Sequence, residues 1–141
     1  MLYWDSSAIV SVALNEKSGP NIHSYIESLK FKPTFTSFLT FLEIESAIQR
    51  KIKDRSINQR VADQGRAIAV GFRKTAEIII SDLMILDSAL HMQKIYGLRP
   101  GDAVQLASAR HGTDDPSKVH FLCLDKRLNE SAKREGFNVP F

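Results

Sequence analysis

The chain contains, at residues 1–10, the stretch MLYWDSSAIV, which predicts a strand that passes directly into a helix. Leu2 to Trp4 form a short apolar run, and Asp5 with the two serines after it are residues that favour the N-terminus of a helix. We expect that helix to run through residues 8–14. A strand followed at once by a helix is typical of folds in which helical crossovers join parallel strands.

The same alternation continues along the chain. Three consecutive isoleucines at 78–80 favour a buried parallel strand, and the run at 119–124 is the clearest strand of all. The pattern therefore predicts an α/β fold, an open parallel sheet of four to five strands with helices on both faces. Further strands are predicted at 34–36, 77–80 and, as an edge strand, 137–139; further helices are predicted from about residue 20, at 38–53, after Ser56, and at 82–96, 102–110 and 126–135.

Length and composition fit one ordinary globular domain, which we expect to cover residues 1–141. Hydrophobic residues at 43% and charged residues at 25% exclude a disordered or fibrous chain. No stretch approaches the roughly 20 apolar residues that span a bilayer, and no basic signal region is visible, so we expect a cytoplasmic protein without membrane contact. The single Cys123 excludes an internal disulfide and a cysteine-based metal site, and we expect it to be a small buried side chain.

Basic charge is concentrated in one segment of the chain. The net charge of the whole sequence is only +3. Between Arg50 and Lys74, however, eight basic residues stand against only Asp54 and Asp63. A solvated helical face is the ordinary interpretation of such a segment, and a phosphate-contacting surface is the alternative. The candidates for contacts to a phosphate backbone are Arg50, Lys51, Lys53 and Arg55.

Several acidic residues are predicted to meet at one edge of the sheet. Asp5 follows the first predicted strand and Asp125 the fourth, so both carboxylates should lie at the edge where α/β folds bind ligands. Asp102 stands in the first turn of a helix, and Glu43 lies one turn into another. Crowded carboxylates repel one another, and the usual remedy is a hard cation such as Mg²⁺ or Mn²⁺. Each aspartate could instead simply cap a helix or favour its dipole.

Helical spacing alone does not decide between Glu43 and Glu45. At about 100° per residue, Glu45 falls within the apolar stripe of the helix at 38–53, and Glu43 falls nearly opposite. Periodicity would therefore leave Glu43 in solvent near Arg50 and make Glu45 the buried acid. Apolar side chains on more than one side of this helix would also suit a homodimer.

Four stretches together resemble the PIN-domain ribonucleases, and within them the compact VapC-type toxins of prokaryotic toxin–antitoxin pairs. The resemblance covers essentially the whole chain and implies a single PIN-like domain. It also implies a metal site formed by four acids and favours Glu43 over Glu45, because small Ala47 follows four residues later. Ser7 would hydrogen-bond a metal ligand or a bound water, unless it only belongs to the helix cap. The stretches are LYWDSSA at 2–8, TSFLTFLE at 36–43, LRPGDA at 98–103 and FLCLDKRL at 121–128, and the implied ligands are Asp5 and Asp102, with Glu43 and Asp125.

Two positions depart from the pattern of this family. Cys123 stands where relatives often carry Thr or Ser, and Gln105 stands where many carry His. Neither change removes a carboxylate. The resemblance thus implies an endoribonuclease dependent on Mg²⁺ or Mn²⁺, a toxin that an antitoxin protein holds inactive, and a homodimer. The alternative is a non-catalytic PIN-like module that binds RNA or a protein and uses the acids only as caps.

Overall fold

The computed structural model describes residues 1–30 and 32–141 and confirms the predicted α/β class. Within these residues, strands and helices alternate along the chain, and a short 3-10 turn at Pro116–Lys118 precedes the last strand. The strands are β1 Leu2–Trp4, β2 Thr34–Ser37, β3 Glu77–Ile79 and β4 His120–Leu122; the helices are α1 Ser6–Ala13, α2 Gly19–Ser28, α3 Leu39–Lys53, α4 Gln59–Thr75, α5 Leu83–Tyr96, α6 Pro100–His111 and α7 Lys126–Arg134.

All strands of the sheet are parallel, in the order β3-β2-β1-β4. The chain moves outward from β1 to β2 and β3, then returns to the other side of β1 to form β4. The strand order therefore reverses at β1, and an open α/β sheet forms its ligand crevice at such a reversal, outside the carboxyl ends of the strands. The edge strand expected at 137–139 is reduced to one bridge between His120 and Asn138, so the described sheet has four strands.

Side chains of β1 point alternately to the two faces of the sheet, and each face is covered by helices. The prediction of helices on both faces is therefore confirmed. Tyr3 points to one face, where it stacks on Phe121 with ring centroids 5.0 Å apart and packs among residues of α5, α6 and α7. Leu2 and Trp4 point to the other face and pack against α1 to α4. Because successive side chains of a strand alternate, three residues are enough to contribute to both layers.

Local signals set most helix ends. Asp82 caps α5 by accepting a hydrogen bond from Ile85 N at 3.0 Å, and Gly97 ends that helix with a left-handed φ of 62°. The next helix, α6, begins at Pro100, two residues before the predicted start. Proline is well suited to the first position of a helix, because its φ is already helical and the missing N–H has no partner there.

Two strand predictions need correction. The isoleucine run was expected to be buried, but β3 is an edge strand with β2 as its one partner, and Ile80 beyond it is 68% exposed. β4 ends at Leu122, so Asp125 follows the strand by three residues instead of directly.

Along residues 1–30 and 32–141, none of the helices combines the length and the apolar composition needed to cross a bilayer.

Candidate active site

A cleft of about 710 Å³ opens at the point where the strand order reverses. Glu43, Asp102 and Asp125 line it, together with Ser6 and Ser7, which directly follow Asp5. Helices α1, α6 and α7 all begin at this cleft, and the partial positive charge of helix N-termini favours nearby carboxylates. The structure therefore brings three of the four predicted acids into one cleft. Asp5 is buried and is not one of the lining residues, but it lies near enough for the charge of Asp102 to raise its pKa.

Asp5 is almost fully buried and caps α1. Its Oδ2 accepts hydrogen bonds from Ser7 N at 2.9 Å and from Ser7 Oγ at 2.5 Å. Ser7 Oγ in turn accepts a hydrogen bond from Leu124 N at 3.0 Å, which ties the start of α1 to the segment after β4. Ser7 thus contributes its backbone N–H to the helix cap and its hydroxyl to a second hydrogen bond with the Asp5 carboxylate.

Asp125 and Cys123 form a second capped turn beside Asp5. Asp125 Oδ1 accepts a hydrogen bond from Leu128 N at 2.9 Å and so caps α7. The Cys123 sulfur is buried, as expected, and accepts a hydrogen bond from Asp125 N at 3.2 Å. Burial and the nearby charge of Asp5 raise the pKa of the Cys123 thiol well above its ordinary value, so the thiol stays neutral.

Asp102 has no capping role. It is the third residue of α6, half-buried at the cleft, and Arg99, which precedes the helix, makes no side-chain cap either. Gly101 lets the start of α6 approach α3 closely, since a Cβ at this position would lie 2.7 Å from Glu43 Oε1. The close approach places the carboxylates of two helices side by side.

Glu43 is held in the cleft by a buried amide. Gln105 Nε2 donates a hydrogen bond to Glu43 Oε2 at 2.6 Å. Gln105 is 1% exposed and lies one turn after Asp102 on α6. Its role was not predicted, because from the sequence Gln105 was visible only as a departure from the family's usual histidine.

Glu45 lies on the face of α3 that packs on α4. Its carboxylate accepts hydrogen bonds from Arg66 Nε at 3.0 Å and from Arg66 Nη2 at 2.8 Å. The ion pair and a hydrogen bond from Gln49 lower the pKa of Glu45 to about 2. Periodicity was wrong about both residues: Glu45, expected to be the buried acid, has a side chain that is 47% exposed, whereas Glu43, expected in solvent, is partly buried because α6 covers it from the other side.

The acids of the cleft destabilise one another's charged forms. Burial is the main cause that raises the pKa of Asp5, Glu43 and Asp102 above ordinary carboxyl values. Repulsion adds to it: Asp102 raises the pKa of Asp5, and Asp125 and Glu43 raise that of Asp102. A cation placed among these carboxylates would therefore offset the unfavourable free energy of burying their charges close together.

Basic side chains form one wall of the cleft. Arg50 and Lys51, predicted contacts to an RNA backbone, line it, whereas Lys53 and Arg55 are absent from the described lining. Lys51 Nζ lies 2.6 Å from Glu16 Oε1, so part of its charge is already neutralised. Arg99 also lines the cleft and was missed, since a single arginine before a proline has no distinctive sequence signal.

The donor chemistry of the cleft suits a hard divalent cation, because all four acids offer carboxylate oxygens. Within residues 1–30 and 32–141, no three histidine, cysteine or acidic side chains stand together at a spacing that could hold an ion. The acids therefore raise one another's pKa, but in this structure they are not gathered at coordination spacing. Comparison of the chain with protein-family models and with curated proteins found no significant match.

Proposed function

We propose that this chain is a PIN-like endoribonuclease that hydrolyses RNA phosphodiester bonds with the help of Mg²⁺ or Mn²⁺. The observation that carries the proposal is the state of Glu43 and Asp102. Both are partly buried beside like charges, neither caps a helix, and neither forms an ion pair within the described residues. The N-terminus of α6 and nearby arginines favour the charged form of Asp102, and Gln105 and Arg50 favour that of Glu43, but burial and repulsion outweigh these effects on both pKa values. A bound cation would offset the remaining unfavourable free energy.

The four acids would have different roles in binding the cation. Asp5 and Asp102 serve as principal ligands, and Glu43 and Asp125 complete the site directly or through water. When bound, a divalent cation lowers the pKa of a coordinated water and stabilises the charge that develops on a phosphate. In this proposal Glu43 either holds the cation or accepts a proton from the attacking water.

The basic wall supplies the contacts that an RNA backbone needs. Arg50, Lys51 and Arg99 face the same cleft as the acids, so a strand lying across it would meet positive charge beside the scissile phosphate. Such contacts position the backbone without reading its sequence. Single-stranded or looped RNA is the substrate class that fits, because an unpaired strand can present its phosphates to a recessed site.

The resemblance to VapC-type toxins extends the proposal to partners. In this interpretation the chain is the toxin of a toxin–antitoxin pair, acts in the cytoplasm as a homodimer, and is kept inactive by an antitoxin protein. Two exposed apolar side chains, Phe38 directly before α3 and Leu42 in its first turns, offer part of the surface that such partners would cover. Co-purification of a small acidic protein with the chain expressed from its natural gene neighbourhood would support the pairing.

The direct test is cleavage of RNA by the purified protein with Mg²⁺ or Mn²⁺. EDTA and Asp102→Asn are the controls, because the first removes the cation and the second removes one principal ligand without removing a helix cap. We expect endonucleolytic products only in the wild type with metal. Cleavage that survives both controls would contradict the proposal.

A non-catalytic PIN-like binding module is the second candidate. It is favoured by the finding that Asp5 and Asp125 do cap helices and by the open spacing of the carboxylates. The two functions differ in thermal unfolding with Mn²⁺. A cation that binds only the folded state at a concentration of 100 times its Kd stabilises that state by about 2.7 kcal/mol, so an unchanged midpoint would favour the binding module.

A further inference from the structure

The buried side chains behind Glu43 form one connected hydrogen-bond network. Gln105 lies at its centre, between the Glu43 carboxylate and the core. Its Nε2 donates to Glu43 Oε2 at 2.6 Å and lies 3.0 Å from Thr40 Oγ1, and its Oε1 accepts a hydrogen bond from the Tyr3 hydroxyl. Beyond it, Thr40 Oγ1 is 2.7 Å from Thr36 Oγ1. Every member except Glu43 is buried in the core.

The Thr40 proton has two possible acceptors, Thr36 Oγ1 at 2.7 Å and Gln105 Oε1 at 3.3 Å, and the shorter contact together with the proton count favours Thr36. Thr36 donates its hydroxyl proton to the carbonyl of Trp4 at 2.6 Å, at the end of β1. Thr40 then donates to Thr36, since Thr36 has no second proton. The Thr40 oxygen is therefore free to accept one N–H of Gln105, and the other N–H goes to Glu43.

The Gln105 amide is consequently locked in one orientation. The reversed orientation would place the amide oxygen against an ionised carboxylate oxygen and would turn two N–H donors toward the Tyr3 hydroxyl. The Tyr3 hydroxyl carries one proton, which it donates to Gln105 Oε1. Donors on one side and an acceptor on the other thus define which end of the amide faces the cleft.

We infer that Gln105 is the positioning residue for Glu43, and that Tyr3 and Thr40 position Gln105. This inference rests on the proposed function and deepens it. The amide donates a hydrogen bond to Glu43 but does not transfer a proton to it. Glu43 therefore remains available as an acceptor on its other oxygen. The network also ties the carboxylate to the backbone at the end of β1, directly before Asp5, which couples the placement of two candidate ligands.

The test compares Gln105→Met with Ser108→Ala. Methionine keeps the unbranched shape of glutamine but removes its donors and acceptor. Ser108 is buried one turn further along α6 and hydrogen-bonds Ser37 Oγ at 3.0 Å, away from Glu43, so its replacement also removes a buried hydrogen bond. We expect Gln105→Met to lower kcat or the Mn²⁺ affinity about 10- to 100-fold, as is usual for residues that orient metal ligands, with KM for RNA unchanged. Ser108→Ala should keep both values.

Tyr3→Phe is the second variant, in case Gln105→Met does not fold. It leaves the amide in place but frees its orientation, and we expect a smaller fall in kcat with KM unchanged. Wild-type values in folded Gln105→Met or in folded Tyr3→Phe would overturn the inference. An equal fall in kcat for Ser108→Ala would also overturn it, because the effect would then be one of general core packing.

A measurement that does not depend on activity separates this inference from the proposed function. In ¹⁵N-edited spectra of the full chain, the side-chain amide signals of Gln105, identified by their loss in Gln105→Met, should exchange slowly with solvent and shift in Glu43→Gln. Rapid exchange of these signals defeats the positioning role alone. Failure of the wild type to bind Mn²⁺ or cut RNA, with the amide signals protected, defeats the proposed function instead.

Discussion

Replacing Gly101 with alanine should separate the geometry of the cleft from the stability of the fold. A Cβ at this position lies 2.7 Å from Glu43 Oε1, whereas ordinary van der Waals contact begins at 3.4 Å. The carboxylate must therefore retreat by about 0.7 Å or rotate away, because the backbone of α6 is anchored and the end of a glutamate side chain is not. The substitution thus displaces one candidate ligand without touching its chemistry.

The expected effects on activity and stability have opposite directions. A misplacement of about 1 Å near reacting groups can cost about 100-fold in rate, so we expect RNA cleavage by Gly101→Ala to fall 10- to 100-fold. That range corresponds to about 1.4 to 2.7 kcal/mol of transition-state stabilisation. The free energy of unfolding in EDTA should stay level or rise, since alanine favours a helix over glycine by about 0.5 to 1 kcal/mol.

Gly71→Ala is the matched control. Gly71 lies within α4, and a Cβ there meets nothing within 4 Å. Both variants make the same chemical change in a helix, so both should keep or gain stability in thermal unfolding with EDTA. Only Gly101→Ala should lose cleavage and the Mn²⁺-dependent rise in midpoint. Wild-type cleavage by folded Gly101→Ala, with an undiminished response to Mn²⁺, would refute the assignment of Glu43 to the site.

Three further predictions concern the acids themselves. Asp102→Asn should abolish cleavage yet leave the midpoint in EDTA unchanged or higher, because it removes repulsion and no cap; a clear fall in that midpoint would contradict this account. Burial raises the folded-state pKa of Asp5, Glu43 and Asp102. Above the ordinary carboxyl pKa, the folded state therefore binds more protons than the unfolded state, and the free energy of unfolding in EDTA should decline as the pH rises. Saturating Mn²⁺ should weaken or reverse that slope in thermal scans, and an identical slope with and without Mn²⁺ would count against a shared cation site. Glu43→Gln should abolish cleavage, whereas Glu45→Gln should keep it and cost about 1 kcal/mol or less in urea unfolding, because its ion pair with Arg66 is partly exposed and screened by solvent; loss of cleavage in Glu45→Gln would reverse the assignment.

Local sequence signals determined the alternation of elements and most of their ends. Asp5-Ser6-Ser7, Pro100 and Gly97 act through backbone groups within a few residues, so their effects can be recognised without knowledge of the fold. The parallel sheet, its two covered faces and the burial of Cys123 follow from the same apolar pattern. The position of aspartates near strand ends was also evident, because parallel strands bring their carboxyl ends to one edge.

Tertiary structure decided which side chains the two glutamates of α3 contact. Glu43 and Glu45 are two residues apart, yet Gln105 from α6 hydrogen-bonds the first and Arg66 from α4 hydrogen-bonds the second. The edge position of β3 and the place of Arg99 in the cleft likewise depend on elements far away in the chain. Helical periodicity describes one helix on its own, whereas the burial and charge of a residue depend on whatever packs against it, which no local pattern contains.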